Sequence, residues 1–160
     1  MEFNLVKIEK SNLEILENLF QLYIHDISYY LSWDVDEKGR FFAYSLSEWL
    51  DNKDNFGYLV YSAEKLCGFV MVDREFKVLN SSDALNLSEI FILNSYKNKG
   101  LATCVLNEVF SRHKACWEVR PVFNSENAVK FWDNYFKKAK FESNLIEWKN
   151  GRYAYTFSNK

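Results

Sequence analysis

Proline is almost missing from this 160-residue chain, at a single copy, and glycine and cysteine are scarce at five and three. So few backbone breakers exclude collagen-like and low-complexity character. The cysteines, Cys67, Cys104 and Cys116, are odd in number and form no C-x-x-C pair. That pattern suits reduced thiols rather than a disulfide framework. His25 and His113 stand far apart and away from any cysteine cluster, so no metal is expected. Neither sign of charge dominates: 20 Lys and Arg against 22 Asp and Glu leave a net charge of −2. A nucleic-acid binder would usually show a basic face, so no nucleic-acid partner is expected. The longest apolar run, Leu66 to Val72, falls far short of the roughly 20 residues that span a bilayer, so no membrane partner is expected. Met1 to Lys10 lacks the apolar stretch of a signal peptide, and the expected location is cytoplasmic.

What the chain has is apolar and aromatic mass, 48% and 18% of its residues. At roughly 150 residues per domain, residues 1–160 are expected to form one domain. Phe3 to Ile8 reads as a strand. Ser11 to Glu14 has capping-box form, and Leu13, Leu16, Phe20, Tyr23, Ile27 and Tyr30 follow at helical spacing to about Leu31. A charged loop covers Ser32 to Arg40, and a second capping box, Ser45 to Glu48, opens a short helix. Tyr58–Tyr61 and Leu66–Val72 read as a hairpin, 73–86 as a polar loop, and Leu87–Leu93 as a strand. Ala102, Val105, Leu106, Val109 and Phe110 mark an amphipathic helix. Ala115–Arg120 is the next strand, followed by a helix with Ala128, Phe131, Trp132, Tyr135, Phe136 and Ala139 on one stripe. Asn150-Gly151 between Phe141–Trp148 and Tyr153–Phe157 predicts a closing hairpin. The order is β-α-α-β-β-β-α-β-α-β-β.

The chemistry concentrates in Glu89 to Thr103. A strand runs straight into Tyr96-Lys97-Asn98-Lys99-Gly100-Leu101-Ala102, where a helix begins. The first amides of a helix have no intrahelical partner and carry partial positive charge, which suits a phosphate. Gly100 permits close backbone approach, and Lys97 and Lys99 add charge. On physics alone the segment reads first as an ordinary helix start, since a glycine and two lysines at such a place usually mark nothing more.

Glu89-Ile90-Phe91-Ile92-Leu93-Asn94-Ser95-Tyr96-Lys97-Asn98-Lys99-Gly100-Leu101-Ala102 resembles the acetyl-coenzyme A signature of the GCN5-related N-acetyltransferases, R/Q-x-x-G-x-G/A between a fourth strand and a third helix. Ser125-Glu126-Asn127-Ala128-Val129-Lys130-Phe131-Trp132 is similar to the N-x-x-A-x-x-F-[YW] pattern of that family's fourth helix. The resemblance covers essentially the whole chain. It implies an α/β acyl-CoA N-acyltransferase-like fold, a mixed and mostly antiparallel sheet with helices on both faces. It also implies acetyl-coenzyme A as co-substrate, with Ile90, Phe91 and Ile92 along the pantetheine arm and Lys97, Asn98, Lys99, Gly100, Leu101, Ala102 and Thr103 around the pyrophosphate. Three positions depart from the pattern. The leading Arg/Gln is Lys97, without a guanidinium fork. The helix asparagine falls on Ser125, with Asn124 and Asn127 beside it as alternatives. The tyrosine that often protonates the leaving thiolate falls on Trp132, whose indole N–H is no practical acid; Tyr135, one turn along, is the substitute.

Direct transfer needs an uncharged amine, and neutralising a lysine-like ammonium at pH 7 costs roughly 4–5 kcal/mol. Glu89 is the expected general base, with Glu118 as second choice and Tyr135 or solvent as acid. The cysteines lie among apolar residues with no histidine nearby, which argues against a covalent route. His25 reads as structural, and His113 as a cation at a helix end. Tyr29, Tyr30 and Trp33, with Asp34, Asp36 and Glu37, are candidates to receive a small-molecule or peptide amine acceptor, or else fill core and face solvent. A non-catalytic coenzyme A-binding module is the rival reading. The aromatic load leaves room for a homodimer face.

Overall fold

The computed structural model describes residues 2–139 and 141–160. Their element order is β1 (Asn4–Lys7), α1 (Leu13–Leu31), α2 (Leu46–Asp51), β2 (Phe56–Ser62), β3 (Lys65–Asp73), β4 (Ala84–Ile92), α3 (Leu101–Arg112), β5 (Cys116–Val119), α4 (Glu126–Lys138), β6 (Ser143–Lys149) and β7 (Arg152–Ser158). Short 3₁₀ turns precede α1 and α3. The strands form a seven-stranded sheet ordered β1-β2-β3-β4-β5-β7-β6, antiparallel except for the parallel β4–β5 pair.

Strand alternation sends one set of side chains to each face, and each set meets its own helices. Leu59, Phe69, Met71 and Phe91 pack with Leu16, Phe20, Tyr23 and Ile24 of α1 and with Leu46 and Trp49 of α2. On the opposite face Val60, Val70, Val72, Leu87, Trp117 and Val119 meet Val105, Leu106, Val109 and Phe110 of α3 and Trp132, Tyr135 and Phe136 of α4. Helices therefore cover both faces, as expected. Trp117 is fully buried, edge-on to Phe110 at 4.7 Å and stacked parallel to Phe157 at 6.4 Å. Gly68 is required by a close approach, because a Cβ there would lie 1.9 Å from the Phe91 carbonyl oxygen across the β3–β4 pair.

Several local expectations change. The capping box at Ser11–Glu14 is not formed. Instead the box forms two residues earlier, over Glu9–Asn12, the Asn12 side chain accepting the Glu9 amide and also donating to the Lys7 carbonyl, both at 2.9 Å. The second box is half realised, with the Ser45 hydroxyl accepting the Glu48 amide at 3.2 Å. The β2–β3 turn is a tight one, with Ala63 and Glu64 both at positive φ, and Asn150-Gly151 closes the last hairpin in the same way. Strand β4 starts at Ala84, inside the polar stretch read as loop, because the buried Asn86 donates to the Asp73 carboxylate at 2.8 Å across the pair. His113 is disfavoured as a cation. Burial and the neighbouring Arg112 push its pKa down, and it shares a 2.8 Å hydrogen bond with Tyr58 and lies 4.3 Å from the Phe56 ring.

Two irregularities open the middle of the sheet. Pairing of β4 with β5 covers only Ala84–Leu87 against Cys116–Val119, while β4 continues to Ile92. The chain's single proline, Pro121, lies just beyond β5 and has no N–H to extend the ladder. In β4, Met71 opposes Glu89 and Val72 opposes Leu87, so Ser88 is an extra residue, a β-bulge. Regular alternation would place Leu87 and Glu89 on one face. The bulge instead leaves Leu87 in the α3/α4 core and sets Glu89 opposite Met71, on the α1/α2 side.

Candidate active site

Where β4 and β5 part, a cleft of about 860 Å³ opens between α1, β4, the turn before α3, and α4. Its walls include Tyr23, Asp26 and Tyr30 from α1, all of Leu87–Ile92, then Lys97, Asn98 and Ala102, and from the far side Arg120, Asn127, Phe131 and Trp132. Beyond Leu87, no strand among the described residues pairs with β4 along the edge that faces β5. That edge leads straight to the start of α3. Asn98 at φ 60° and Gly100 at φ 82° both take the left-handed conformation, and Gly100 occupies the N-cap without any side-chain cap. Its need for glycine is conformational, since nothing lies within 4 Å of where a Cβ would be. Among the described residues the leading amides of α3 therefore have neither an intrahelical nor a capping partner.

The lysines of this turn are already occupied. Lys97 Nζ lies 2.7 Å from the Asp26 carboxylate of α1, bridging the cleft, and 5.8 Å from the centre of the Phe91 ring. Lys99 donates to the Ser95 carbonyl at 2.7 Å.

Glu89 sits partly buried against α1, accepting a hydrogen bond from the Tyr23 hydroxyl. Burial pushes its carboxyl up to about 7, with nearby Asp73 adding to the effect and the Tyr23 hydrogen bond and Arg120 opposing it. Burial first and the Glu89 charge second raise the Tyr23 hydroxyl well above its usual range. A carboxyl with a pKa near neutral, in a cleft, is suited to exchange protons at physiological pH.

The sequence candidates divide. Glu89, Ile90, Phe91, Ile92, Lys97, Asn98, Ala102, Asn127 and Tyr30 line this cleft. Lys99, Gly100, Leu101 and Thr103 belong to the adjoining turn and first helical turn but do not line it, and Leu101 is buried in the core. Asn124 lines a separate recess of about 590 Å³ between the β5–α4 loop and the β6–β7 turn. Tyr135 is a correction. It is 5% exposed within the α3/α4 core, its hydroxyl donates to Asn107 at 2.8 Å, and it does not reach the cleft. Tyr29 and Trp33 are also displaced, exposed at 85% and 49% on the outside of α1 and its loop. Asp36 organises that loop locally, accepting the amides of Lys38 and Arg40.

Glu118 proves to be an anchor rather than a second base. It is fully buried, and its two oxygens accept the amides of Lys77, Val78 and Leu79 at 2.9–3.0 Å, tying down the β3–β4 loop. Sequence reading also missed Tyr23 and Arg120. Tyr23 belongs to the regular apolar stripe of α1, and only its 66-residue jump to Glu89 gives it a second role.

The fold is that of the GCN5-related N-acetyltransferases. An acetyltransferase from Thermus thermophilus superposes with a TM-score of 0.69 at 11% identity, covering 98% of this chain and 96% of that one. A GNAT-family acetyltransferase from Staphylococcus aureus does so with a TM-score of 0.61 at 12% identity, covering 98% and 99%. A spermidine N-acetyltransferase from Vibrio cholerae, solved with CoA and spermine, gives a TM-score of 0.59 at 15% identity over 97% and 92%. No protein-family profile and no curated protein matches the sequence.

Proposed function

We propose that the chain transfers an acetyl group from acetyl-coenzyme A to a primary amine by direct attack. The observation that carries this reading is the unpaired edge of β4 running into the uncapped start of α3, with Glu89 in the same cleft. An extended pantetheine arm has amides that can use a free strand edge, and a pyrophosphate can use free helix amides. Ile90, Phe91 and Ile92 would hold the first, and the amides around Gly100 the second. The acetyltransferases that share the fold include one solved with CoA, which supports the same donor.

Glu89 takes a proton from the acceptor ammonium as it enters, directly or through a water. The freed nitrogen attacks the thioester carbonyl carbon, a C–N bond forms, the now cationic nitrogen gives its second proton to solvent, and the C–S bond breaks as the tetrahedral oxyanion collapses. Backbone amides of β4 stabilise that oxyanion. With Tyr135 engaged to Asn107 and Trp132 unable to act as an acid, solvent protonates the departing thiolate. A thiol of pKa about 8.5 needs little help near neutral pH.

The test is amine-dependent release of free thiol from acetyl-coenzyme A by the purified chain. The reading predicts turnover that rises with pH through about 7, the pKa set by burial of Glu89, and that falls by roughly 10²–10⁴ in Glu89→Gln with coenzyme A affinity retained. A protein that binds acetyl-coenzyme A but acetylates nothing in a broad amine panel would instead be a coenzyme A-binding module.

A further inference from the structure

Two polar atoms in the cleft, the Ser88 hydroxyl and the Arg120 Nη1, are shut off from solvent and have no hydrogen-bond partner among the described residues. Buried donors are rarely left open in native proteins, since each unmet bond carries a desolvation penalty. Both owe their position to the irregularities that open the sheet. Ser88 is the bulged residue of β4, and Arg120 is the first residue beyond β5.

Arg120 lies on the Glu89 side of the gap. Its Nη1 stands 3.5 Å from an oxygen of Glu118, and Glu118 pairs with Asn86, whose side chain joins Asp73 on the face opposite the α3/α4 core. Glu118 pairs with it in charge but accepts no hydrogen bond from it. The approach is long, and both Glu118 oxygens already hold loop amides. The other cations of the cleft have hydrogen-bonded carboxylates, Lys97 with Asp26 at 2.7 Å and Lys130 with Glu126 at 3.4 Å, whereas Arg120 has only the ion pair with Glu118. Among the described residues Arg120 makes no side-chain hydrogen bond, though its guanidinium borders the space next to the general base.

We propose that Arg120, assisted by the Ser88 hydroxyl, receives a carboxylate of the acceptor, so that the molecule acetylated is an amino-acid-type amine rather than a polycation. A guanidinium matches a carboxylate with two parallel N–H donors, and a serine hydroxyl adds a third. A polyamine brought to Glu89 would set its second positive charge against Arg120 in a cleft of low dielectric. This inference rests on the acetyl-transfer reading above, and the spermidine enzyme that shares the fold gives it a direct contrast.

The test compares proteinogenic amino acids with their amides, and with spermidine, as acceptors for the full chain with acetyl-coenzyme A. In parallel, the corresponding N-acetyl amino acids and N-acetyl amino-acid amides are titrated calorimetrically into the chain saturated with coenzyme A. The acids should exceed their amides by about tenfold to a hundredfold in kcat/KM and in product affinity, the scale of a charge-assisted hydrogen bond. Arg120→Gln should remove that preference, through KM in turnover and through the product affinities in the titration, while leaving coenzyme A binding in place. Arg120→Lys, which keeps the charge without the fork, should retain part of it, and Ser88→Ala should lower it modestly. Equal treatment of acids and amides, a preference for spermidine, or binding of no N-acetyl amino acid would overturn the proposal. Because the titration needs no turnover, acid-selective binding without thiol release would uphold the carboxylate site and remove the acetyl-transfer reading alone.

Discussion

Replacing the proposed base should make the protein more stable, and only at high pH. The Glu89 carboxyl has an ordinary pKa of 4.5 in the unfolded chain and one near 7 in the fold. Below pH 4.5 it is protonated in both states and contributes no penalty. Between 4.5 and 7 the unfolded chain releases the proton while the folded chain keeps it, so stability falls as pH rises. Above 7 the whole penalty is present. At roughly 1.4 kcal/mol per pH unit, the span from 4.5 to 7 amounts to about 3 kcal/mol as an upper bound. Glu89→Gln keeps an oxygen to accept the Tyr23 hydroxyl and removes the charge. For a chain of this size, 3 kcal/mol corresponds to a rise in Tm of about 6–12 °C. Thermal melts of both proteins from about pH 4 to 8.5 should therefore coincide at the acid end, diverge between about pH 4.5 and 7, and stay apart by a constant amount above that. A constant difference across the whole range, or a Glu89→Gln protein that is less stable at alkaline pH, would refute the burial argument.

Three other substitutions separate scaffold from site. Gly100→Val places a β-branched residue at φ 82°, where strain rather than crowding decides; a loss of about 1–2 kcal/mol is expected in chemical denaturation, with weakened acetyl-coenzyme A binding by calorimetry. Glu118→Ala leaves three loop amides without their acceptor and should cost about 3–5 kcal/mol, with hydrogen exchange accelerating at Lys77, Val78 and Leu79. Tyr135→Phe removes one hydrogen bond to Asn107 and should cost about 1 kcal/mol while leaving the pH profile of thiol release unchanged. A tenfold loss of turnover in Tyr135→Phe would restore that tyrosine to the chemistry.

The element order, both hairpins and the apolar faces of α3 and α4 could be read from periodicity because each depends on neighbours within a few residues. The start of β4 could not. Asn86 reads as a loop residue until its partner Asp73 is seen beside it on β3, where its side-chain NH2 finds a carboxylate oxygen. The bulge at Ser88 leaves no mark in the local pattern, yet it decides which face Glu89 occupies. Glu89 stood out because it opens the segment that carries the coenzyme A signature, whereas its partner Tyr23 lay hidden in an ordinary helical stripe. Tyr135 misled for the opposite reason. Trp132 and Tyr135 share a stripe in sequence, but the stripe is wide enough that one edge meets the cleft and the other is sunk against Asn107.

The most direct test is calorimetric titration of the purified chain, free of co-purified nucleotide, with acetyl-coenzyme A and with ADP. The β4 edge and the α3 amides together predict one site with a dissociation constant on the order of micromolar, about 8 kcal/mol, and much weaker binding of ADP, which lacks the pantetheine arm. No heat with acetyl-coenzyme A in a folded sample, or equal affinity for the two ligands, would mean that the open strand edge holds nothing.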